Sequence, residues 1–369
     1  MEKWKSPLEG LAVNADFWCS KRVFLTGHTG FKGSWLSLWL QSLGSEVTGY
    51  ALTPPTSPSL YEVAEVAHGM KSIIANILDL PNLQKAMQTS RPDIVIHMAA
   101  QPLVRQSYAE PVDTYATNVM GTVHVLESVR NTPSVKAVLV VTTDKCYENK
   151  EEMHRSYHEH EPMGGHDPYS SSKACAELVT AAYRMSFLEQ QAIAVATARA
   201  GNVIGGGDWA ADRLVPDILK GFEQNAFVQI RNPNATRPWQ HVLEPLSGYL
   251  SLAEHLFAQG SAYAEAWNFG PNDEDVRSVQ WIIEQLALSW GNSVAWLQDP
   301  GQHPHEANYL KLDISKAKAR LGWTPSWSLQ TALKNTTEWH RSWLGQEDMK
   351  KHCLQQILQY SIAMRTKAI

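Results

Sequence analysis

Short apolar runs alternate with helix-length amphipathic stretches along the first half of the chain. Arg22-Val-Phe-Leu-Thr26 is a compact apolar strand, followed by glycines and a helical stretch from Phe31 to Leu43. Glu46 to Leu52 reads as a second strand, Lys71 to Ala75 as a third, Asp93 to Met98 as a fourth and Lys136 to Val141 as a fifth. A long helix is predicted from about Pro111 to Arg130, another from Tyr169 to Phe187, and a strand over Ala192–Thr197. β-branched runs separated by helices predict a doubly wound parallel sheet of the Rossmann kind, because parallel strands need crossover helices. Beyond Gly205 the pattern loosens into short segments broken by glycine, proline and tryptophan, which predicts a smaller mixed α/β C-terminal domain. The expected division is a lead-in over 1–20, a dinucleotide-binding domain over 21–204, a substrate domain over 205–345 with some segments returning to the first domain, and a helical tail over 346–369.

The chemistry sits where strands hand over to helices. Thr26-Gly27-His28-Thr29-Gly30-Phe31-Lys32-Gly33 joins the first strand to the first helix. Glycines there let backbone approach a pyrophosphate, and the helix N-terminus offers free N–H groups at its positive end. No Asp or Glu closes the second strand near Tyr50–Leu52 to hold an adenosine ribose, and no Arg stands there for a 2′-phosphate. That position alone leaves NAD and NADP open. Tyr169-Ser-Ser-Ser-Lys173 places a phenol and an ammonium one helical turn apart, an arrangement in which the cation favours phenolate. Thr142-Thr143-Asp144-Lys145-Cys146 closes the fifth strand, at the edge where open α/β sheets bind ligands. The polar loop from Tyr147 to Asp167 reads as a lid.

Composition narrows the field. A 369-residue chain with 44% hydrophobic and 19% charged residues is globular rather than disordered. A formal charge of -5 leaves no basic surplus for nucleic acid, and no apolar run is long enough to span a bilayer. Four scattered cysteines without a CxxC pair and an N-terminus without an apolar signal core lead us to expect a cytoplasmic protein with reduced thiols. His154, His158, His160 and His166 follow no zinc spacing, so no metal is expected. Trp35 and Trp39 have helical spacing and are expected in the core.

Over roughly residues 20–340 the sequence resembles the extended short-chain dehydrogenase/reductase superfamily, through TGHTGFKG, His97-Met-Ala-Ala100, Thr117-Asn118-Val-Met-Gly121-Thr122 and YSSSK. GFKGSW, TTDKCY, Gly164-Gly-His-Asp-Pro-Tyr169, the stretch Ala198 to Trp209 and the stretch Arg237 to Pro245 look most like the CDP-glucose 4,6-dehydratases. The resemblance implies bound NAD, CDP-glucose as substrate and a homodimer built on the two long helices. It implies that Tyr169 takes the proton from O4 while hydride leaves C4, with Lys173 supporting the phenolate and Thr143 bonding near O4. Asp144 would be the acid for the departing C6 hydroxyl. Lys145 stands where dTDP-glucose relatives carry a Glu base, and is either the C5 base or an orienting cation. Matching positions place Gly27, Gly30, Phe31, Lys32, Gly33, Asn76, Ile77, Ala99, Ala100, Gln101, Asn118, Thr142, Tyr169 and Lys173 at the cofactor. The same matching places Asn202, Arg213, Arg237 and His241 at the substrate. His305-Glu306 fits the family pattern, whereas Asn308 replaces an Arg usual in the dTDP branch. A 4-epimerase, a dTDP- or GDP-sugar dehydratase, and a non-catalytic dinucleotide sensor remain as rivals.

Overall fold

The structure, a computed structural model, describes residues 13–152, 155–291, 296–299, 301 and 309–368. His154, His305, Glu306 and Asn308 lie outside the described residues. Twelve strands are present among those described. They are β1 (Arg22–Thr26), β2 (Glu46–Ala51), β3 (Lys71–Ile74), β4 (Ile94–His97), β5 (Ala137–Val141), β6 (Ala194–Ala200), β7 (Asn202–Ile204), β8 (Val228–Ile230), β9 (Thr236–His241), β10 (Ala266–Phe269), β11 (Val276–Ser278) and β12 (Trp296–Gln298). Seven of them form one sheet in the order β10-β6-β5-β4-β1-β2-β3, with every pairing parallel. This is the doubly wound Rossmann sheet that the alternating pattern predicts.

Parallel strands covered on both faces must be apolar throughout, and β5 (AVLVV) and β6 (AVATARA) are buried at every position. Two hydrophobic clusters flank the sheet. One is built around Trp35, Trp39, Leu246, Leu250 and Trp267, and the other around Phe24, Val95, Val125 and Val138. Trp35 and Trp39 are fully buried on the Phe31–Ser42 helix, as their spacing predicts. β7, β9 and β11 form a small second sheet and β8 pairs with β12; these strands enclose a third cluster around Ile218, Trp239 and Ile283.

Three details differ from the pattern read along the chain. The 111–130 stretch is helix over Pro111–Tyr115 and Gly121–Arg130, joined by a π-helical turn over Ala116–Met120. The strand expected over 192–197 runs instead from Ala194 to Ala200, because Ala192 adopts a left-handed turn ahead of it. The 147–167 loop is tied down rather than free. Tyr147 and Tyr157 stack at 5.3 Å, Asn268 of β10 donates to the Tyr157 carbonyl, and Arg199 of β6 donates to the Glu159 carbonyl. Buried donors from the sheet claim carbonyls that a mobile lid would leave to water. Among the described residues no helix is long and apolar enough to cross a membrane.

Candidate active site

The cradle forms because β1 ends on a residue that holds two strand ends together. Thr26 Oγ1 accepts from the Met98 and Ala99 amides and meets His97 Nδ1 at 2.7 Å, while His97 Nε2 reaches Thr122 Oγ1 at 3.2 Å. The chain then turns at Gly27, whose φ of +78° suits glycine. A Cβ on Gly27 would stand 2.7 Å from the Ala99 nitrogen, and one on Gly33 would stand 2.0 Å from the Gly27 carbonyl oxygen. Gly30 differs, since a Cβ there would make only ordinary contact at 3.5 Å. Its bare surface, at the N-cap of the Phe31–Ser42 helix with no side chain capping that end, is open to an anion. The donor set therefore fits a dinucleotide pyrophosphate.

The reactive groups converge from two elements. Thr143 caps a short 3-10 turn over Asp144–Cys146 and accepts from the Lys145 amide at 3.3 Å. Tyr169 and Lys173 lie in the first turns of the Pro168–Tyr183 helix. Asp167 N-caps that helix, accepting from the Ser170 amide at 2.9 Å and its hydroxyl at 2.6 Å, and Pro168 fills the first turn. The Thr143 hydroxyl donates to Asp144 Oδ1 at 3.0 Å, and its side chain lies close enough to the Tyr169 phenol to favour phenolate. Lys173 Nζ donates to the Val141 carbonyl at 3.0 Å. Thr143, Asp144, Tyr169 and Lys173 are all buried, while Lys145 is half-buried.

Burial decides how these groups hold their protons. It pushes Asp144 up against the pull of Lys145, Thr143, Arg237 and Lys32. A raised carboxyl is a better proton donor than a free one. Burial likewise draws Lys173 down to about 8, opposed by Glu177, and Lys32 down to about 8, reinforced by Arg213 and Lys173. Tyr169 departs from the expected softened phenol. In the protein alone burial pushes it up to about 12, and only the Thr143 side chain and the Arg213 charge pull it back. The Lys173 ammonium is engaged by a backbone carbonyl, so desolvation of the phenolate dominates.

The remaining positions divide into those at the pocket and those behind it. Lys32 lies within electrostatic reach of Asp144, Lys173 and Arg213, Arg213 within reach of Tyr169, and Arg237 within reach of Asp144. Arg213 also pairs with Asp208 at 2.8 Å. Phe31, Ala99, Ala100, Gln101 and Asn202 are half-buried along the same edge. Asn76 is exposed beyond β3, and Ile77 is buried under Gly121. Asn118 is buried with its amide already committed to Gln101 N and O and to Ser172 Oγ, so it clamps the β4 end to the Tyr169 helix. Thr142 turns its hydroxyl away, onto Glu177. His241 is fully buried against Trp35 and Trp327 and accepts from the Leu243 amide, so it supports the wall instead of facing a ligand. Among the described residues no three His, Cys, Asp or Glu side chains gather as metal ligands.

Two residues at the site carry no signal of their own in the sequence. Gly201 leaves room for Asp144, since a Cβ there would stand 2.8 Å from Asp144 Oδ2. Glu177 lies one turn beyond Lys173, where a lone Glu on a helix reads as a solvated residue. The three glycines of the cradle could be found by spacing, whereas these two are defined only by what folds against them.

Comparison with known proteins agrees with this geometry. The chain is 55% identical over 342 residues to a CDP-glucose 4,6-dehydratase of Salmonella typhimurium, covering 91% of this chain and 95% of the relative. It is 27% identical to the human dTDP-D-glucose 4,6-dehydratase over 87% of this chain and 90% of that one. Among solved structures, a UDP-glucose 4-epimerase from Thermotoga maritima with UDP-glucose superposes with a TM-score of 0.78 at 22% identity, covering 87% of this chain and 99% of the other. A dTDP-glucose 4,6-dehydratase from Bacillus anthracis in complex with NAD gives 0.72 at 21% identity, covering 88% and 97%. The family model described as GDP-mannose 4,6 dehydratase matches residues 24–336, and the chain belongs to that family of extended short-chain dehydrogenase/reductases.

Proposed function

We propose that this protein is an NAD-dependent 4,6-dehydratase acting on CDP-glucose, releasing water and giving a 4-keto-6-deoxy sugar nucleotide. The observation that carries the reading is the 55% identity, nearly end to end, to a CDP-glucose 4,6-dehydratase. A half-buried lysine beside a buried acid at the sheet edge supports elimination over simple epimerisation, which needs neither.

Gly27, Gly30 and Gly33 would hold NAD, which would supply a hydride acceptor and donor for the sugar. The protein's own residues handle the protons. Tyr169 takes the O4 proton, held in line by Thr143. Lys173 lies a turn behind it and supplies positive charge and a donor toward the nicotinamide ribose. A 4-keto group acidifies C5–H; Lys145 removes that proton or orients the base that does, and a proton returns to C5 once hydride has reached C6. Asp144, whose carboxyl burial shifts toward the protonated form, gives a proton to the departing C6 hydroxyl. Arg213 and Arg237 offer guanidinium forks to the sugar nucleotide's diphosphate, with Asn202 beside them. Lys32 and Thr142 line or brace the cofactor side.

In this reading residues 21–204 together with β10 hold the cofactor, and 205–345 supply the substrate lobe. We place the protein in the cytoplasm and pair it with a second copy. Val112, Tyr115, Leu178, Met185 and Phe187 are exposed apolar side chains on the two adjoining long helical stretches, a surface suited to a self-complementary helical bundle. Incubation of purified protein with CDP-, dTDP-, UDP- and GDP-glucose tests the activity. The expected result is a 4-keto-6-deoxy product from CDP-glucose with no net NADH. A galactose-configured product would replace the reading with an epimerase, and no turnover of any sugar would favour a sensor.

A further inference from the structure

We propose that Glu177 is a positioning residue, which sets the Tyr169/Lys173 helix against the end of β5; this rests on the dehydratase reading above. Glu177 follows Lys173 by four residues and so shares its helix face. That face grips three consecutive residues of the strand end. Lys173 Nζ donates to the Val141 carbonyl, the Thr142 hydroxyl donates to Glu177, and the Thr143 side chain lies beside the Tyr169 phenol. Thr142 is the middle rung, and among the described residues its hydroxyl bonds Glu177 alone.

The carboxylate is itself held from the far side. Thr197 of β6 donates to Oε2 at 2.6 Å, and Arg199 donates through Nε to Oε1 at 2.9 Å and through Nη2 to Oε2 at 2.8 Å. Arg199 continues to the Tyr147 hydroxyl at 2.7 Å and the Glu159 carbonyl at 2.9 Å. Both members of the pair are almost wholly buried, at 4% and 5% exposure. Buried ion pairs are poor sources of stability, because desolvation offsets their attraction. A pair tied at one end to the catalytic strand and at the other to the adjoining loop is explained better by positioning. Burial draws the Lys173 ammonium down to about 8, and Glu177 heads the groups opposing that fall. Removing its charge leaves burial less opposed, so Lys173 loses its proton at lower pH.

The test compares wild type with Glu177→Gln and with the doubly neutral Glu177→Gln/Arg199→Gln, which avoids stranding a buried guanidinium. Two quantities are followed from acid to base: kcat/KM for CDP-glucose, and NAD affinity from quenching of tryptophan fluorescence. Glu177→Gln is expected to move the basic limb of both profiles down by about one pH unit, a tenfold change in proton affinity. The double variant should move it the same way but less, since a positive charge is lost as well. Most of the activity loss should fall in kcat rather than KM. An unmoved basic limb in a folded variant overturns the proposal, whatever happens to overall rate. Should wild type bind NAD yet turn over no sugar, the dehydratase reading fails, and the binding limb alone decides the role of Glu177.

Discussion

At the residue scale, the site depends on small groups being absent as much as on reactive ones being present. Gly33→Ala would drive a methyl into the Gly27 carbonyl, so NAD binding measured by fluorescence should be lost while the fold is kept. Gly201→Ala crowds Asp144 instead. A displacement of about 1 Å at the acid should lower kcat by about a hundredfold with KM little changed, checked by steady-state kinetics. Lys145→Ala should slow exchange of the C5 proton more than oxidation at C4; normal dehydration in that variant would remove its role. The pH profile follows from Lys173. Its pKa is drawn down to about 8, so the required ammonium is present below that value and kcat/KM falls as pH rises through it.

At the scale of elements, what could be read along the chain was what repeats. The strands, the glycine cradle and the Tyr–Lys helix announce themselves by alternation, spacing and caps, and all of them formed. What stayed hidden depends on partners from elsewhere. Thr142 gives no hint that its hydroxyl serves Glu177, and Asn118 none that it joins Gln101 to Ser172. The 147–167 loop is polar enough to read as a lid, yet donors on β6 and β10 pin it. The phenol of Tyr169 was read from its lysine neighbour, whereas burial outweighs that neighbour. The long helices are legible as helices, but their outward apolar side chains acquire meaning only in the folded chain. Leu178→Asp combined with Met185→Asp should convert a dimer to a monomer in sedimentation equilibrium, and an unchanged mass would send the interface elsewhere.

For the molecule as a whole, two carboxyls, Glu244 buried and Glu254 half-buried, fasten segments near the two ends. Glu254 accepts from the Asn14 amide and the Trp18 indole, and Glu244 accepts from the Ser326 and Trp327 amides and the Tyr360 hydroxyl of the last helix. Burial pushes each up to about 7. Groups raised in the fold give stability that is full below the unfolded value and disappears as pH rises through about 7, about 1–3 kcal/mol each. Thermal melting should therefore fall from pH 6 to 8, and less steeply in Glu244→Gln. The sheet's final strand carries a different consequence. β10 comes from far downstream of β6, yet pairs with it and supplies Asn268 to the 157–159 loop. During synthesis, the edge beside the catalytic strands must wait uncovered until the ribosome has released that late segment. A chain halted just before Ala266 should be digested readily by protease near residues 150–160, and the same region should become resistant once elongation passes Phe269.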